Sequence, residues 1–326
     1  VVNYFLVAVS NRENLGLCLD FGMAGFPGSV NGVWAFCDVE VGDFVSFLYA
    51  AHIYNLYRVS DKMAILRAEE APPWKPLEFR SGRVYYFPFR LLLEPVRWFR
   101  ESLVRAEFAY VAENLLLRGG YAKTHFQADQ TTLQCASQLG ELVENYLFKS
   151  VDLKKYGVFT PKFSLDKSRV NMVDVYPLRE MILQALIRKY LSQENNLARF
   201  LELMEISETQ PRYLEVLGEK ALPEGHVDIL IKERTPIGKA KLIIIEVKSG
   251  RAYLRDLKQL EKYRAEIGSE CIGACLIAKD FPRKIIKSEN NIKLLKYNLD
   301  IMKNEAYTLN QLLKSLTLIK TTKLKL

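Results

Sequence analysis

The chain has no hydrophobic run long enough to cross a bilayer: its longest purely aliphatic stretch, residues 242–245, falls far short of the roughly 20 residues that a membrane helix needs. Cysteine is scarce and unpaired in pattern. Cys18, Cys37, Cys135, Cys271 and Cys275 are odd in number and never form a C-x-x-C pair, which supports neither a disulfide framework nor a zinc site; buried reduced thiols are the expectation. Internal repeats and low-complexity tracts are missing as well. The apolar stretch 4–9 lacks the basic flank and the cleavage pattern of a signal peptide. Together these features lead us to expect a soluble cytoplasmic protein with no membrane contact.

What is present is length, and an uneven charge. A chain of 326 residues exceeds the usual single-domain size and should divide into two or three compact units. The first hundred residues read as β-rich, with strands expected at 4–9, 44–49, 54–59, 63–68 and 84–93 and a short helix at 14–21. Helices are expected at 98–117, ended by Gly119 and Gly120, and at 132–150. From residue 176 the order becomes helix, strands at 213–217, 227–231 and 241–247, helix at 253–267, strand at 272–277, helix at 282–290, strand at 294–302 and helix at 309–316. That alternation predicts an α/β unit built on one mixed sheet. The expected division is 1–100, a connector over 101–175, and 176–326. The net charge of +8 is carried by the chain beyond residue 130, a distribution suited to a polyanionic partner such as nucleic acid.

Two carboxylates stand where apolar residues are expected. Asp228 interrupts His-Val-Asp-Ile-Leu-Ile, and Glu246-Val-Lys248 closes the run 242–245. Burying a lone carboxylate in a strand is costly unless it is paired or bound to a cation. Successive strand residues alternate faces, so Glu246 and Lys248 project side by side with Val247 opposite. If Asp228 faces them from the neighbouring strand, the site suits a hard divalent cation, Mg²⁺ or Mn²⁺, with a lysine beside the attacking water.

At Asp228, Glu246 and Lys248 the chain resembles the PD-(D/E)xK nuclease superfamily, with Val227 where a proline is usual. Gln259-Leu260-Glu261-Lys262-Tyr263 looks like the Gln-x-x-x-Tyr element of its NucS-type and RecB-type subgroup. The resemblance implies a restriction-endonuclease-like fold, Gln259 steadying the lysine or a phosphate, and a further acid from the helix before the first strand. Glu194 is preferred for that acid, with Glu180 as its rival.

Residues 3–96 resemble the EVE/YTH group of PUA-like barrels, most clearly in Val39-Glu40-Val41-Gly42-Asp43-Phe44-Val45-Ser46-Phe47. This resemblance implies a small β-barrel that accepts a flipped, modified base. Ser10 and Asn11 would bond the base edge, and Phe26, Trp34 and Trp74 would be candidate stacking walls. For each aromatic the alternative is a core position. The combined expectation is a Mg²⁺-dependent, modification-dependent endonuclease acting on double-stranded DNA as a homodimer. A repair nuclease for mismatched or branched DNA and a non-catalytic nucleic-acid reader are the alternatives.

Overall fold

In the computed structural model, residues 2–50, 52–78, 81–82, 84–104, 124–144, 146–222, 225–286 and 291–321 are described. The chain is mixed α/β and divides into two compact units, Val2–Lys162 with Val170–Tyr176, and Phe163–Arg169 with Pro177–Leu326. Among the described residues no helix is long and apolar enough to cross a membrane. The five cysteines are free thiols, and all but Cys135 are buried.

The first unit contains β1 (Tyr4–Ala8), α1 (Arg12–Phe21), β2 (Met23–Phe26), α2 (Val30–Asp38), β3 (Phe44–Tyr49), β4 (His52–Ile65), β5 (Leu77–Glu78), β6 (Val84–Tyr85), β7 (Phe89–Trp98), β8 (Leu103–Val104), β9 (His125–Ala128), α3 (Gln130–Ser137), β10 (Glu141–Leu142) and β11 (Val158–Phe159). Nine of these strands form one sheet along the path β10-β7-β4-β3-β1-β9, with β8 and β11 paired onto β4 and β2 onto β7. β1 and β3 run parallel, Tyr4 opposite Phe44. The strands expected at 54–59 and 63–68 are one strand, β4, which passes through a register irregularity between Val59 and Asp61.

Three expectations for this region change. The stretch 98–117 is not a helix at its start: β7 continues to Trp98, and Leu103–Val104 pairs with His52 and Ile53, while 105–117 lies outside the described residues. The helix expected at 132–150 ends at Ser137, and Gly140, with φ 70°, turns the chain into β10. The stretch 101–175 is also not a separate helical connector, because β9 pairs with β1, β10 with β7 and β11 with β4. Helix α2 was not expected. It is buried on nearly all sides, so it has no amphipathic period to read, and only the Ser29 side chain, accepting from the Gly32 N–H, marks its start.

Short strands β12 (Lys162–Ser164) and β13 (Val175–Pro177) precede the second unit's main elements. These are α4 (Glu180–Leu191), α5 (Glu194–Met204), β14 (Leu214–Leu222), β15 (Gly225–Glu233), β16 (Leu242–Arg251), α6 (Leu254–Ile267), β17 (Cys271–Asp280), α7 (Arg283–Ile286), β18 (Lys293–Leu299), β19 (Ala306–Thr308), α8 (Leu309–Ser315) and β20 (Leu316–Lys320). A six-stranded sheet runs β14-β15-β16-β17-β18-β20. Its first three strands are antiparallel, β16, β17 and β18 are parallel, and β20 returns antiparallel.

β16 is central because Ile243, Ile244 and Ile245 are all buried, the continuous apolar pattern of a strand covered on both faces. Helix α6 carries the crossover to β17. The Asp256 carboxylate accepts the Tyr253 N–H at its start, and Gly268, with φ 68°, releases the chain at its end. Leu257, Leu260 and Tyr263 share one face of α6 and pack with Leu230, Ile244 and Leu276 of the sheet. Glu215 and Lys232, opposite one another on β14 and β15, pair at 3.3 Å and add a polar constraint on the register there. The packing of α6 gives a direct test: Leu260→Ala should lower the unfolding free energy by about 2–5 kcal/mol, read as a lower denaturant midpoint at unchanged slope.

Candidate active site

The cross-strand ladder between β15 and β16 reaches Ile229 opposite Ile245 and goes no further. Asp228 comes next on β15, and its Oδ2 accepts the Val247 N–H at 2.7 Å. The carboxylate thus takes a backbone donor at the point where strand pairing stops, satisfying a group that would otherwise be stranded. By strand alternation Asp228, Glu246 and Lys248 share the face that carries Leu230 and Ile244, so both acids lie at the end of the α6-side core.

Glu246 is 3% exposed. Its Oε1 accepts from the Lys248 ammonium at 2.9 Å, and its Oε2 is buried with no hydrogen-bond partner. Lys248 also reaches Glu180 Oε1, at 3.4 Å. The second oxygen of Glu180 accepts from the Ser249 N–H at 3.0 Å and the Ser249 hydroxyl at 3.3 Å. Tyr297 on β18 donates its hydroxyl to the Ser249 carbonyl. Glu180, in the first turn of α4, therefore joins that helix to the strand end that bears the lysine.

The electrostatics follow from the burial. Asp228 is held well above the ordinary carboxylate value, first by desolvation and then by the charge of Glu246. Burial also raises Glu246, against the pull of Lys248, while Asp256 and Glu180 push it the same way as burial. For Lys248 burial acts to lower the pKa, but Glu246, Asp228 and Glu180 outweigh it, and the net direction is up. Burial, then the Glu180 charge, pushes the Tyr297 phenol up to about 12. The site is a set of acids that need positive charge, with one ammonium among them.

The helix-borne acid at this cluster is Glu180 rather than Glu194. Glu194 opens α5 and is exposed, whereas Glu180 bonds both Lys248 and Ser249. Gln259 is exposed on α6, where its amide N–H donates to the Tyr263 hydroxyl at 2.7 Å and its oxygen accepts nothing from Lys248, whose ammonium donates to Glu246 and Glu180. Ser249, Asp256 and Tyr297 were missed from the sequence. Only Ser249 left a trace, as the residue next to the lysine.

In the first unit the five residues assigned to base reading are engaged elsewhere. Asn11 caps α1 by accepting the Asn14 N–H at 2.7 Å, and Ser10 accepts from the Asn14 amide at 3.2 Å. Phe26, Trp34 and Trp74 are all buried. Trp34 meets the His125 ring edge-on at 4.5 Å, beside the buried Asp38–His125 pair at 3.0 Å. Trp74 carries the buried Arg90 guanidinium 4.5 Å from its ring centre. The walls assigned from the sequence are packed core, not an open aromatic enclosure.

Among the described residues no three His, Cys, Asp or Glu side chains are arranged to hold a metal ion. The half-buried Asp228 and the buried Glu246 still fit a hard cation of low protein-ligand number: Glu246 Oε2 is an orphaned buried acceptor, and Mg²⁺ is commonly held by one or two carboxylates with waters and substrate phosphate oxygens completing its shell. Compared with protein-family models and with curated proteins, the chain matches none, so the reading of the site rests on its own geometry.

An acid whose pKa is raised by folding contributes stability that is whole below its unfolded value and lost as pH rises through the folded one. Asp228→Asn keeps an oxygen for the Val247 N–H and removes that loss. In EDTA the variant should melt a few degrees above the parent at alkaline pH, with the difference vanishing below about pH 4. Differential scanning calorimetry across pH reads the result.

Proposed function

We propose that this protein is a metal-dependent DNA endonuclease whose second unit hydrolyses phosphodiester bonds at Asp228, Glu246 and Lys248. The observation that carries the reading is the pair of acids, Glu246 buried and Asp228 half-buried, where the pairing of β15 with β16 stops, both with raised pKa and one with an orphaned oxygen, beside a lysine fixed by two carboxylates. A simple structural ion pair would leave no second acid uncompensated and no buried acceptor unfilled.

Asp228 and Glu246 would hold the cation, which supplies a Lewis acid and an activated water. Lys248, protonated at neutral pH by the direction of its shift, works as a donor and a positive charge rather than as a base. From its position it can orient the attacking water and meet the developing charge on the phosphate. Glu180 restrains the ammonium through Oε1 and the Ser249 peptide through Oε2. The positive charge of the chain beyond residue 130 favours a polyanionic substrate. A role for the first unit in sensing base modification remains part of the proposal, with residues other than the buried Phe26, Trp34 and Trp74 facing the base.

Plasmid cleavage in Mg²⁺ and then in EDTA tests the reading, using matched plasmids grown with and without base methylation. Glu246→Ala and Lys248→Ala should each abolish most Mg²⁺-dependent cutting and leave DNA binding largely intact. Glu180→Gln should impair cutting more than Glu194→Gln. Near-normal cutting by Glu246→Ala and Lys248→Ala would overturn the site, and equal cutting of the two plasmids would remove the sensor role while leaving the nuclease.

A further inference from the structure

Between the site strand and the body of α6 the chain reads Arg251-Ala252-Tyr253-Leu254-Arg255. Ala252 turns inward and is fully buried, but Tyr253 is 56% exposed and Leu254 49% exposed. Large apolar side chains bare on two consecutive positions, at the start of a helix whose other face is packed, are open to a partner. The Arg255 guanidinium lies 5.3 Å from the Tyr253 ring centre, so the ring is framed by a cation.

Arg255, Lys258 and Lys262 then recur at i, i+3 and i+7 and are all exposed, opposite the buried Leu257, Leu260 and Tyr263. The three cations form a stripe about 10 Å long that begins beside Tyr253. Arg251 and Arg255 have acids near them, Asp280 at 3.8 Å and Asp256 at 3.7 Å, yet both arginines stay largely solvent-exposed. Glu261 falls to one side of the stripe, and Glu266 lies a turn beyond its end. The ledge starts at Tyr253, five residues past Lys248 and two past the end of β16, and the first-turn Asp256 is close enough to Glu246 to act on its ionisation.

A row of cations without an aromatic would fit any polyanion. An exposed ring beside it adds a requirement, because a stacked duplex offers phosphates and groove edges to such a ledge, while only an unstacked base offers its flat face. We propose that the ledge binds a single DNA strand, with one base stacked on Tyr253 and the adjoining phosphates on Arg255, Lys258 and Lys262. The preferred substrate is then DNA with an unpaired stretch beside the bond to be cut. The ledge stands on its own geometry; its link to a cut bond rests on the nuclease reading above.

The test is fluorescence anisotropy of the full chain in EDTA, with a labelled single-stranded oligonucleotide and its blunt duplex, over a range of salt. Tyr253→Ala should weaken single-strand binding roughly 5- to 150-fold, the loss of one stacked base, with little change for the duplex, and Tyr253→Phe should retain single-strand binding. Lys258→Ala and Lys262→Ala should weaken both ligands and each flatten the salt dependence by about 1 in log–log slope. Unchanged melting temperatures would show that the variants fold. Equal losses on both ligands, no loss in Tyr253→Ala, or no DNA binding by the parent would overturn the ledge. Tyr253-dependent single-strand binding without Mg²⁺-dependent cleavage would overturn the nuclease reading and leave the ledge standing; cleavage without Tyr253 dependence would do the reverse.

Discussion

Asp228 and Glu246 project from neighbouring strands into one partly dry part of the sheet, where burial makes both costly to ionise and the charge of Glu246 adds to the cost at Asp228, and the ammonium of Lys248 is a charge that offsets them. The fold brings this about through the strands themselves. A run of buried isoleucines fixes β16 in the middle of the sheet, ladder pairing with β15 stops one residue short of the acids, and the Asp228 carboxylate then takes a backbone N–H in place of the next rung. The acids are kept near each other because the aliphatic core beneath them does not allow the strands to slip.

The surrounding elements limit the freedom of the lysine. α4 contributes Glu180, which accepts from the ammonium and from the Ser249 N–H, and β18 contributes Tyr297, which donates to the carbonyl of the same serine. α6 is seated by Leu257, Leu260 and Tyr263. Holding several acids around one ammonium in such a place costs stability, and strongly perturbed groups of this kind cluster where a ligand or a reaction uses them. Among the described residues the site supplies two close carboxylates rather than a closed cage of ligands, which suits a cation that shares its shell with water and a phosphate.

Much of the second unit was legible because its elements obey one periodicity each. The aliphatic run of β16, the i, i+3, i+6 apolar face of α6 and the glycine after it specify strand, helix and stop without tertiary information. The triad of Asp228, Glu246 and Lys248 was legible for the opposite reason: polar residues stand where that periodicity calls for apolar ones. The choice between Glu180 and Glu194 was not legible, since α4 and α5 follow one another closely and each begins with a glutamate. Only the packing of α4 against the sheet decides which glutamate meets Lys248. The first unit hid more. Helix α2 is buried all round, β9 reaches β1 across more than a hundred residues of chain, and an aromatic of a core reads in sequence like an aromatic of a pocket.

The central claim is that Asp228 and Glu246 together hold a divalent cation. Electron paramagnetic resonance of Mn²⁺ titrated into the full chain without DNA tests it most directly, with Glu246→Gln and Asp228→Asn measured alongside. The expected result is saturable binding of Mn²⁺ in the parent, displaced by Mg²⁺ and lost in either variant. Binding that is equally strong in both variants, or the absence of saturable binding in the parent, would contradict it.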